Sequence, residues 1–485
     1  MAVATASPDT SIVEVPMLIR GQVIEPGEDG VEFGGRVGAR FRTPDPRRYA
    51  SQLVLADAGQ LRDLQETSVD EVIDFLAELG PRLRLEDNPL MQAALDLALD
   101  AGELTGPIIR PMFEHLPNWF GRDLLEQVVE THVGKPYLEG WVEHPLLPDT
   151  RIRAVGTRNV HIIAGNVPHM AAISVINSAL TKCDSLIKVP SNDPFTAMAI
   201  VQTMIELDPE HPVTKHVAVA YWKGGDTEVE REIYRPSRID KLNAWGGTAS
   251  MKHIQQYLVP GIELIPNNPK VSIAIVGHRA LESDEGMREA AVGVALMAGR
   301  LNQSGCSNAR LVYVECGTDE DDLTRLEALG REIHRTFDLL PENESTLPKV
   351  PAPDLADEMD ALSLDEDFYR VIGDANSAGV VVSRTEDPVE FADRLRNRVV
   401  NLVPVADIAK VTRWVSEATQ TVGVYPGELH DRLRDGLALS GVQHIRALRT
   451  SLDGYLYNDG RYTLLLPHDG MESMRRMVRW TIDQG

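Results

Sequence analysis

From residue 156 onward, short apolar segments alternate with segments of helical pattern, and this alternation constrains the fold more than any other feature. The apolar segments are NVHIIAG, SLIKV, HVAVAYW, KLNAWG and VSIAIVG. Helices are predicted after Pro168, over FTAMAIVQTMIEL with Asp193 as N-cap and Pro194 at the first position, and over Thr227–Tyr234 and Thr248–Leu258. Strands that alternate with helices of about 10–15 residues form crossover units around a parallel sheet buried on both faces. We therefore predict a doubly wound α/β domain.

A second α/β stretch begins near residue 271. It is predicted to contain a helix over Asp284–Leu301, the turn NQSGCSN, the strands ARLVYVE and VVNLVPV, and the helix DIAKVTRWVSEAT. Residues 340–368 are rich in proline and acidic side chains, which indicates a surface excursion. The last 60 residues mix helix and strand patterns, and the pattern alone does not place them.

The N-terminal region of the chain follows a different pattern. The first 50 residues are rich in Gly, Pro and charge, which predicts short strands and loops. A helix is predicted over Ser68–Leu79, with Ser68 and Glu71 as a capping box and Gly80 just past its end. The segment that follows is mostly helical in pattern as far as Thr131.

Composition excludes several classes of protein. The 485 residues suffice for two or three domains, and a net charge of −25 argues against a nucleic-acid binder. No apolar run reaches the roughly 18–20 residues that span a bilayer, and the N-terminus does not resemble a secretory signal. Three cysteines in such a long chain fit a reducing cytoplasm, where we expect the protein. The common nucleotide-loop, hydrolase-elbow and metal-binding motifs are absent, so no metal is predicted.

Cys306 is the candidate nucleophile. It lies in the small polar turn SGCSN between a long helix and a strand, whereas Cys183 and Cys316 resemble buried structural cysteines. Gly305 before it would permit close approach of a substrate. No neighbouring His or Lys explains how its thiolate would form.

Polar and glycine residues follow three of the predicted strands. Asn166, in AGNVP, could donate to an oxyanion, although an ordinary loop or helix N-cap role is the alternative. Gly224-Gly225 and Gly246-Gly247 follow the strands HVAVAYW and KLNAWG, at the sheet edge where α/β proteins bind ligands. A turn without any ligand explains these glycines equally well.

Four segments together resemble a known family. AGNVP (164–168), LIKVPSNDP (186–194), WGGT (245–248) and NQSGCSNARL (302–311) resemble, in order and spacing, signature blocks of the aldehyde dehydrogenase superfamily. They are closer to its thioester-reducing branch, the long-chain acyl-CoA (acyl-protein thioester) reductases of bacterial luminescence, as is the ending PHDGM…MVRW. The similarity covers most of residues 150–480.

The resemblance implies a role for particular residues. Cys306 would be the nucleophile, and Asn166 with the Cys306 backbone amide would hold the oxyanion. Lys188 would contact the adenosine ribose of a dinucleotide, Gly224 would let the adenine and pyrophosphate approach, and Gly246 and Thr248 would form the turn beside the pyrophosphate and nicotinamide.

The resemblance also implies a domain plan. It has a Rossmann-like cofactor domain (an N-terminal segment, 1–135, and a main segment, 156–270), an oligomerisation arm (136–155) and a catalytic α/β domain (271–430), while 431–485 stays unassigned. The arm, around Tyr137–Arg153, implies a homo-oligomer, and the luminescence relatives suggest an acyl-protein synthetase as partner.

Two positions depart from the superfamily pattern. Pro266 occupies the place of the glutamate that activates water in hydrolytic aldehyde dehydrogenases, with Glu263 nearby as a conceivable substitute. The glutamate that holds the nicotinamide ribose is replaced near Val400.

The resemblance implies that the protein reduces a fatty acyl thioester to the aldehyde. The cofactor is expected to be NADPH rather than NADH, because Ser191 replaces the glutamate that repels a 2′-phosphate in NAD-preferring relatives. The alternatives are an NAD(P)-dependent aldehyde dehydrogenase releasing the acid, a reductase of phosphorylated acids, and a non-catalytic acyl-binding scaffold subunit. The missing glutamate disfavours the first of these, and the presence of both Cys306 and Asn166 disfavours the last.

Overall fold

The computed structural model describes residues 12–35, 37–452 and 460–485. Its strands are β1 (Val13–Glu14), β2 (Met17–Ile19), β3 (Gln22–Ile24), β4 (Val31–Gly34), β5 (Arg40–Thr43), β6 (Val142–Glu143), β7 (Thr150–Gly156), β8 (Arg158–Ile162), β9 (Asp184–Lys188), β10 (Val217–Ala220), β11 (Lys241–Trp245), β12 (Glu263–Asn267), β13 (Val271–Val276), β14 (Ala309–Glu315), β15 (Tyr369–Gly373), β16 (Gly379–Ser383), β17 (Val399–Val405), β18 (Thr419–Tyr425), β19 (His444–Ala447) and β20 (Val478–Gln484).

Its helices are α1 (Pro46–Leu53), α2 (Arg62–Glu66), α3 (Val69–Arg82), α4 (Pro89–Ala101), α5 (Gly106–His115), α6 (Arg122–His132), α7 (Lys135–Glu139), α8 (His169–Leu180), α9 (Thr196–Leu207), α10 (Pro212–Lys215), α11 (Thr227–Ile233), α12 (Thr248–Gln255), α13 (Asp284–Gly299), α14 (Glu320–Phe337), α15 (Pro353–Ser363), α16 (Gly427–Leu439), α17 (Arg461–Leu465) and α18 (Ser473–Met477). No helix among the described residues combines the length and the apolar character needed to cross a membrane.

The chain divides into two compact units. Unit 1 contains the described residues as far as Gly102, Met112–Asn268 and the residues from 460 onward. Unit 2 contains Glu103–Pro111 and the described residues from Pro269 to 452. The C-terminal residues that the sequence pattern did not place are thus shared by the two units, and 453–459 lie outside the described residues.

The main sheet of unit 1 has the strand order β12-β11-β8-β9-β10-β2-β3. The strands from β12 to β10 are parallel, and β2 and β3 extend the sheet in antiparallel fashion. All four residues of β10 are buried, as a parallel strand covered by helices on both faces requires. The predicted doubly wound α/β fold is confirmed.

The order of this sheet creates a switch point. From β8 the chain moves to β9 and β10 on one side, then returns to β11 and β12 on the other. Ligands of open α/β sheets bind outside the carboxyl ends of the strands at such a point. In unit 1 this is where β8 and β11 end.

Two helix boundaries differ from the sequence prediction. Ser68 caps α3 by accepting a hydrogen bond from the Glu71 amide at 3.1 Å, but the helix continues through Gly80 and ends at Arg82. A Cβ on Gly80 would lie 2.9 Å from the Cβ of Phe120, so this glycine serves close packing and not a helix end. In α9, the side chain of Asp193 accepts from the amide and hydroxyl of Thr196, although Phe195 occupies the N-cap position.

The main sheet of unit 2 has the order β15-β16-β17-β14-β13-β18-β19, parallel except for the edge pair β15–β16. The predicted α-helix DIAKVTRWVSEAT is wrong: the structure has a 3₁₀ helix over Ile408–Arg413, followed by a turn before β18. The predicted excursion at 340–368 includes α15, which buries Leu355 and Met359. The buried residues Ile408, Val411 and Val415 have helical spacing, which explains why the sequence pattern predicts an α-helix over DIAKVTRWVSEAT.

Short strands predicted for the first 50 residues are present as β1 to β5, while residues 1–11 and 36 of that prediction lie outside the described residues. Within unit 1, β20 pairs antiparallel with β7 over seven positions, and β6 pairs with the other edge of β7. The connection between β6 and β7 leaves Leu146 83% and Leu147 51% exposed.

Candidate active site

Accessibility separates the three cysteines. Cys306 is exposed, whereas Cys183 and Cys316 are buried, as the sequence predicted for structural cysteines. Burial raises the pKa of Cys183, and it raises the pKa of Cys316 to about 12. Because only a thiolate is a good nucleophile, Cys306 is the cysteine suited to covalent chemistry.

The backbone before Cys306 is held in an unusual conformation. Leu301, Asn302 and Gln303 all have positive φ angles, of 54°, 49° and 67°. Their side chains fix the turn: Asn302 accepts from the Thr346 amide at 2.9 Å, and Gln303 donates to the carbonyls of Ala309 and Val399 at 2.8 Å. Non-glycine residues adopt this region at a cost, so such a turn persists only where its surroundings determine it.

Asn308 completes the turn on the other side of the cysteine. Its side-chain oxygen accepts from the Gly305 amide at 2.8 Å, and its amide donates to the Met297 carbonyl at 2.9 Å. A Cβ on Gly305 would lie 2.7 Å from this Asn308 oxygen. Gly305 is therefore required for the fold of the turn itself, a reason that the sequence pattern did not supply.

Unit 2 carries Cys306 at the amino end of β14, beside the amino ends of β13 and β18. The Ser272 hydroxyl on β13 donates to the Cys306 carbonyl at 2.7 Å, and the Gln420 amide on β18 donates to the Cys306 sulfur at 3.0 Å. Sequence reasoning missed both residues. They lie far from Cys306 in the chain, and only the pairing of the strands brings them to it.

Asn166 follows β8 at the switch point of unit 1 and is partly buried. Pro168, and not Asn166, occupies the N-cap position of α8, and the side chain of Pro168 makes no capping hydrogen bond. The preceding Gly165 accepts a hydrogen bond from the Asn192 side chain at 2.9 Å, which joins the loops after β8 and β9.

Lys188 ends β9 and is half-buried. Its ammonium lies 5.7 Å from the ring centre of Tyr221 and 5.3 Å from that of Trp222. Burial lowers the pKa of Lys188 to about 8, while the charge of the buried Glu230 acts in the opposite direction. The position provides a cation at the carboxyl edge of the sheet, near the loop that Asn192 anchors.

Ser191 and Asp193 lie in the loop after β9. The side chain of Ser191 hydrogen-bonds to Tyr221, and this bond opposes the rise that burial causes in the pKa of Tyr221. Burial raises the pKa of Asp193 to about 6, against its hydrogen bonds with Thr196. The side chain of Asp193 thus stabilises the start of α9 through these hydrogen bonds.

The two glycine pairs differ in what they do. Gly225 needs the left-handed conformation (φ 92°), while a Cβ on Gly224 would meet no atom within 4 Å, so the space beside Gly224 is open. Gly246 follows β11, and Thr248 begins α12 with no side chain capping the helix. The first amides of α12 therefore point to the carboxyl edge of the sheet, an arrangement that favours anions.

Glu263, the conceivable substitute for a general base, is held in two ion pairs. It begins β12, at the amino end of the sheet, and its oxygens bind Lys241 at 2.5 Å and Arg476 at 2.9 Å. Burial alone would raise its pKa, but the hydrogen bonds from Lys241 and Arg476 hold the pKa below its ordinary value. Val400 is fully buried within β17. Within the described ranges, no group of three His, Cys, Asp or Glu side chains could hold a metal ion.

The fold is that of the aldehyde dehydrogenases. The crystal structure of NADP-dependent glyceraldehyde-3-phosphate dehydrogenase from Bacillus halodurans C-125, in complex with NADP, matches with a TM-score of 0.71 and 13% identity over 97% of this chain and 99% of that one. Lactaldehyde dehydrogenase from Escherichia coli matches with a TM-score of 0.71 and 14% identity over the same shares.

The protein belongs to the acyl-CoA reductase (LuxC) family, whose model matches residues 64–480. Its relatives include the long-chain acyl-protein thioester reductase of Aliivibrio fischeri, 30% identical over 66% of this chain and 63% of that protein. The long-chain acyl-protein thioester reductase of Vibrio harveyi is 23% identical over 96% of this chain and 92% of that protein. The predicted resemblance is confirmed.

Proposed function

We propose that the protein reduces a fatty acyl thioester, acyl-CoA or acyl-protein, to the aldehyde through an acyl-enzyme on Cys306. The observation that carries this proposal is the exposed sulfur of Cys306, which is held on a clamped turn and accepts a hydrogen bond from an amide donor. The family and the names of its characterised relatives support the substrate class and the direction of the reaction.

The proposed chemistry follows from an accessible thiolate. The sulfur attacks the thioester carbonyl, the C–S bond to the leaving thiol breaks, and the acyl group is carried on Cys306. Hydride from a reduced nicotinamide cofactor converts this acyl group into the aldehyde, and the one proton taken from solvent goes to the thiolate that left in the first step. When the C–S bond to Cys306 breaks, the sulfur regains its negative charge. Asn166 is the proposed donor to the oxyanion formed at the carbonyl.

The residues at the carboxyl edge of the unit 1 sheet fit a dinucleotide. The uncapped first turn of α12 after Gly246 offers backbone amides to a pyrophosphate, with Thr248 as its first residue. The open space at Gly224 would admit the cofactor closely, and Lys188 supplies a cation for ribose or phosphate oxygens. Each of these residues ends or follows a strand at the carboxyl edge of the unit 1 sheet, the edge where α/β proteins bind ligands.

Acyl labelling tests the proposed acyl-enzyme directly. The protein is incubated with radiolabelled acyl-CoA in the absence of reduced cofactor, denatured in mild acid and digested. We expect acid-stable label that hydroxylamine releases, on the peptide that contains Cys306. Cys183→Ala should retain the label, because Cys183 is buried. Label on another peptide, or none at all, would refute the acyl-enzyme.

Cofactor preference depends on Ser191 in this proposal. A short neutral side chain admits a 2′-phosphate that a carboxylate would repel, and Lys188 adds an opposite charge. Ser191→Glu should shift the ratio of kcat/KM values from NADPH towards NADH by at least about tenfold. Ser191→Ala is the control, since it removes the hydroxyl without adding charge. Equal efficiency of the unaltered protein with both cofactors would contradict the preference.

We also propose that the protein forms a homo-oligomer. Trp141, directly before β6, is 45% exposed, in addition to Leu146 and Leu147 in the connection between β6 and β7. Such apolar exposure on a short hairpin supports contact with a second copy of the chain. An acyl-protein synthetase remains the proposed protein partner.

A further inference from the structure

A β-bulge in unit 2 lies directly beside Cys306. Val271 pairs with Thr419 and Ile273 pairs with Val422, so one residue of β13 faces two residues of β18 between these pairs. The single residue is Ser272, and the two are Gln420 and Thr421. A bulge of this kind redirects a side chain and is over-represented next to active sites.

The bulge directs two interactions to the same cysteine. The Thr421 amide donates to the Ser272 hydroxyl at 3.1 Å, and this hydroxyl donates to the Cys306 carbonyl at 2.7 Å. Gln420, only 7% exposed, donates from its side-chain amide to the Cys306 sulfur at 3.0 Å. The backbone of Cys306 and its sulfur are thus both held by this irregularity of the sheet.

A cationic side chain accompanies the amide donor. Arg310, four residues after Cys306, donates from Nε to the Leu395 carbonyl at 2.9 Å, while its buried Nη1 has no hydrogen-bond partner in the described structure. Burial lowers the pKa of Arg310, and the charges of Cys306 and Asp393 act in the opposite direction. The guanidinium therefore lies within electrostatic reach of a thiolate at Cys306.

We propose that Gln420 is a catalytic residue, whose side-chain amide stabilises the Cys306 sulfur as a thiolate both before attack and when the aldehyde leaves, with Arg310 providing supporting positive charge. This inference rests on the proposed function, which makes Cys306 the nucleophile. A hydrogen bond to the charged form of a group favours that form, and bonds to charged groups are the stronger ones. The amide and the cation supply the activation that no neighbouring residue in the sequence explains.

The rate of Cys306 alkylation by iodoacetamide as a function of pH tests the contact without any turnover. The full-length protein is compared with Gln420→Met, which keeps the length but removes the donor, and Gln420→Glu, which keeps the shape but adds an anion. Gln443→Met is the matched control, because Gln443 lies in the same unit and donates to the Glu417 carbonyl. The rate measured with Cys306→Ala is subtracted to remove the buried cysteines.

We expect the pH midpoint of alkylation to rise by about one to two units in Gln420→Met, and by at least as much in Gln420→Glu. Arg310→Met should also raise it, and Arg310→Lys should raise it less. Of the other groups near the bulge, Ser272 is neutral, and burial with the charge of Arg446 lowers the pKa of His444 on β19.

Unchanged midpoints in both Gln420 variants would overturn the proposal, as would an equal rise in Gln443→Met. Thermal unfolding of each variant shows whether it is folded, and Gln420→Glu keeps the test available if Gln420→Met does not fold. The outcome is separable from that of the proposed function. Reductase activity retained by Cys306→Ser would refute the acyl-enzyme, whereas unchanged midpoints with an inactive Cys306→Ser would refute only the role of Gln420.

Discussion

Cys306→Ser is expected to lower the rate of aldehyde formation from acyl-CoA by at least about a thousandfold. A serine hydroxyl keeps nearly the shape of the thiol, but it does not ionise near neutral pH, so the attacking anion is lost. The side chain is exposed, and the turn around it is held by Asn302, Gln303 and Asn308 rather than by the sulfur. The loss should therefore be one of chemistry and not of folding.

Oxidation of the reduced cofactor, followed by absorbance together with direct detection of the aldehyde, measures this effect. Cys183→Ser is the matched control, because the same atom is exchanged at a buried cysteine in the other unit. It should retain most of the activity. A Cys306→Ser variant within tenfold of the parent rate would remove Cys306 from the mechanism.

Asn166→Ala is expected to reduce kcat by about a hundredfold to a thousandfold, which is the usual effect of losing one oxyanion donor. Pro168 occupies the N-cap position of α8, so the replacement of Asn166 should leave the start of that helix intact. The effect on KM should be small, because the oxyanion forms only along the reaction path.

Steady-state kinetics with acyl-CoA, together with thermal unfolding, distinguish this role from a structural one. Asn177→Ala, on the partly exposed side of α8, is the control and should behave like the parent. A fall in unfolding temperature with an unchanged kcat for Asn166→Ala would assign the residue to the fold of its loop.

The main sheets could be predicted from sequence because their strands are apolar along their whole length. Segments such as those of β8, β10 and β13 are bounded by turns and separated by helices, and burial on both faces leaves them no other regular structure. Helix ends were less predictable. A glycine such as Gly80 often follows the last residue of a helix, but here the helix continues and the glycine allows close contact with Phe120.

Some residues of the candidate site could likewise be predicted from the sequence, and others could not. Cys306 and Asn166 could be predicted because each lies in a short polar turn beside a strand end, whereas Lys188 was predicted only from the resemblance of its segment to a family block. Gln420 and Ser272 have no local signal, because their role comes from strand pairing and from a bulge whose register no periodicity reveals. Arg310 is close to Cys306 in sequence, but only its burial and its unpaired Nη1 distinguish it from an ordinary surface arginine.

The pairing of β20 with β7 has a consequence for biosynthesis. β7 has only the two-residue β6 on its other edge, so β20 provides most of its backbone hydrogen bonds. A ribosome adds about 5–20 residues per second, and it must translate the whole of unit 2 before β20 emerges. Until then the nascent chain carries an open strand edge of the kind that pairs wrongly with other chains. Unit 1 can thus complete its sheet of β6, β7 and β20 only after unit 2 has been synthesised.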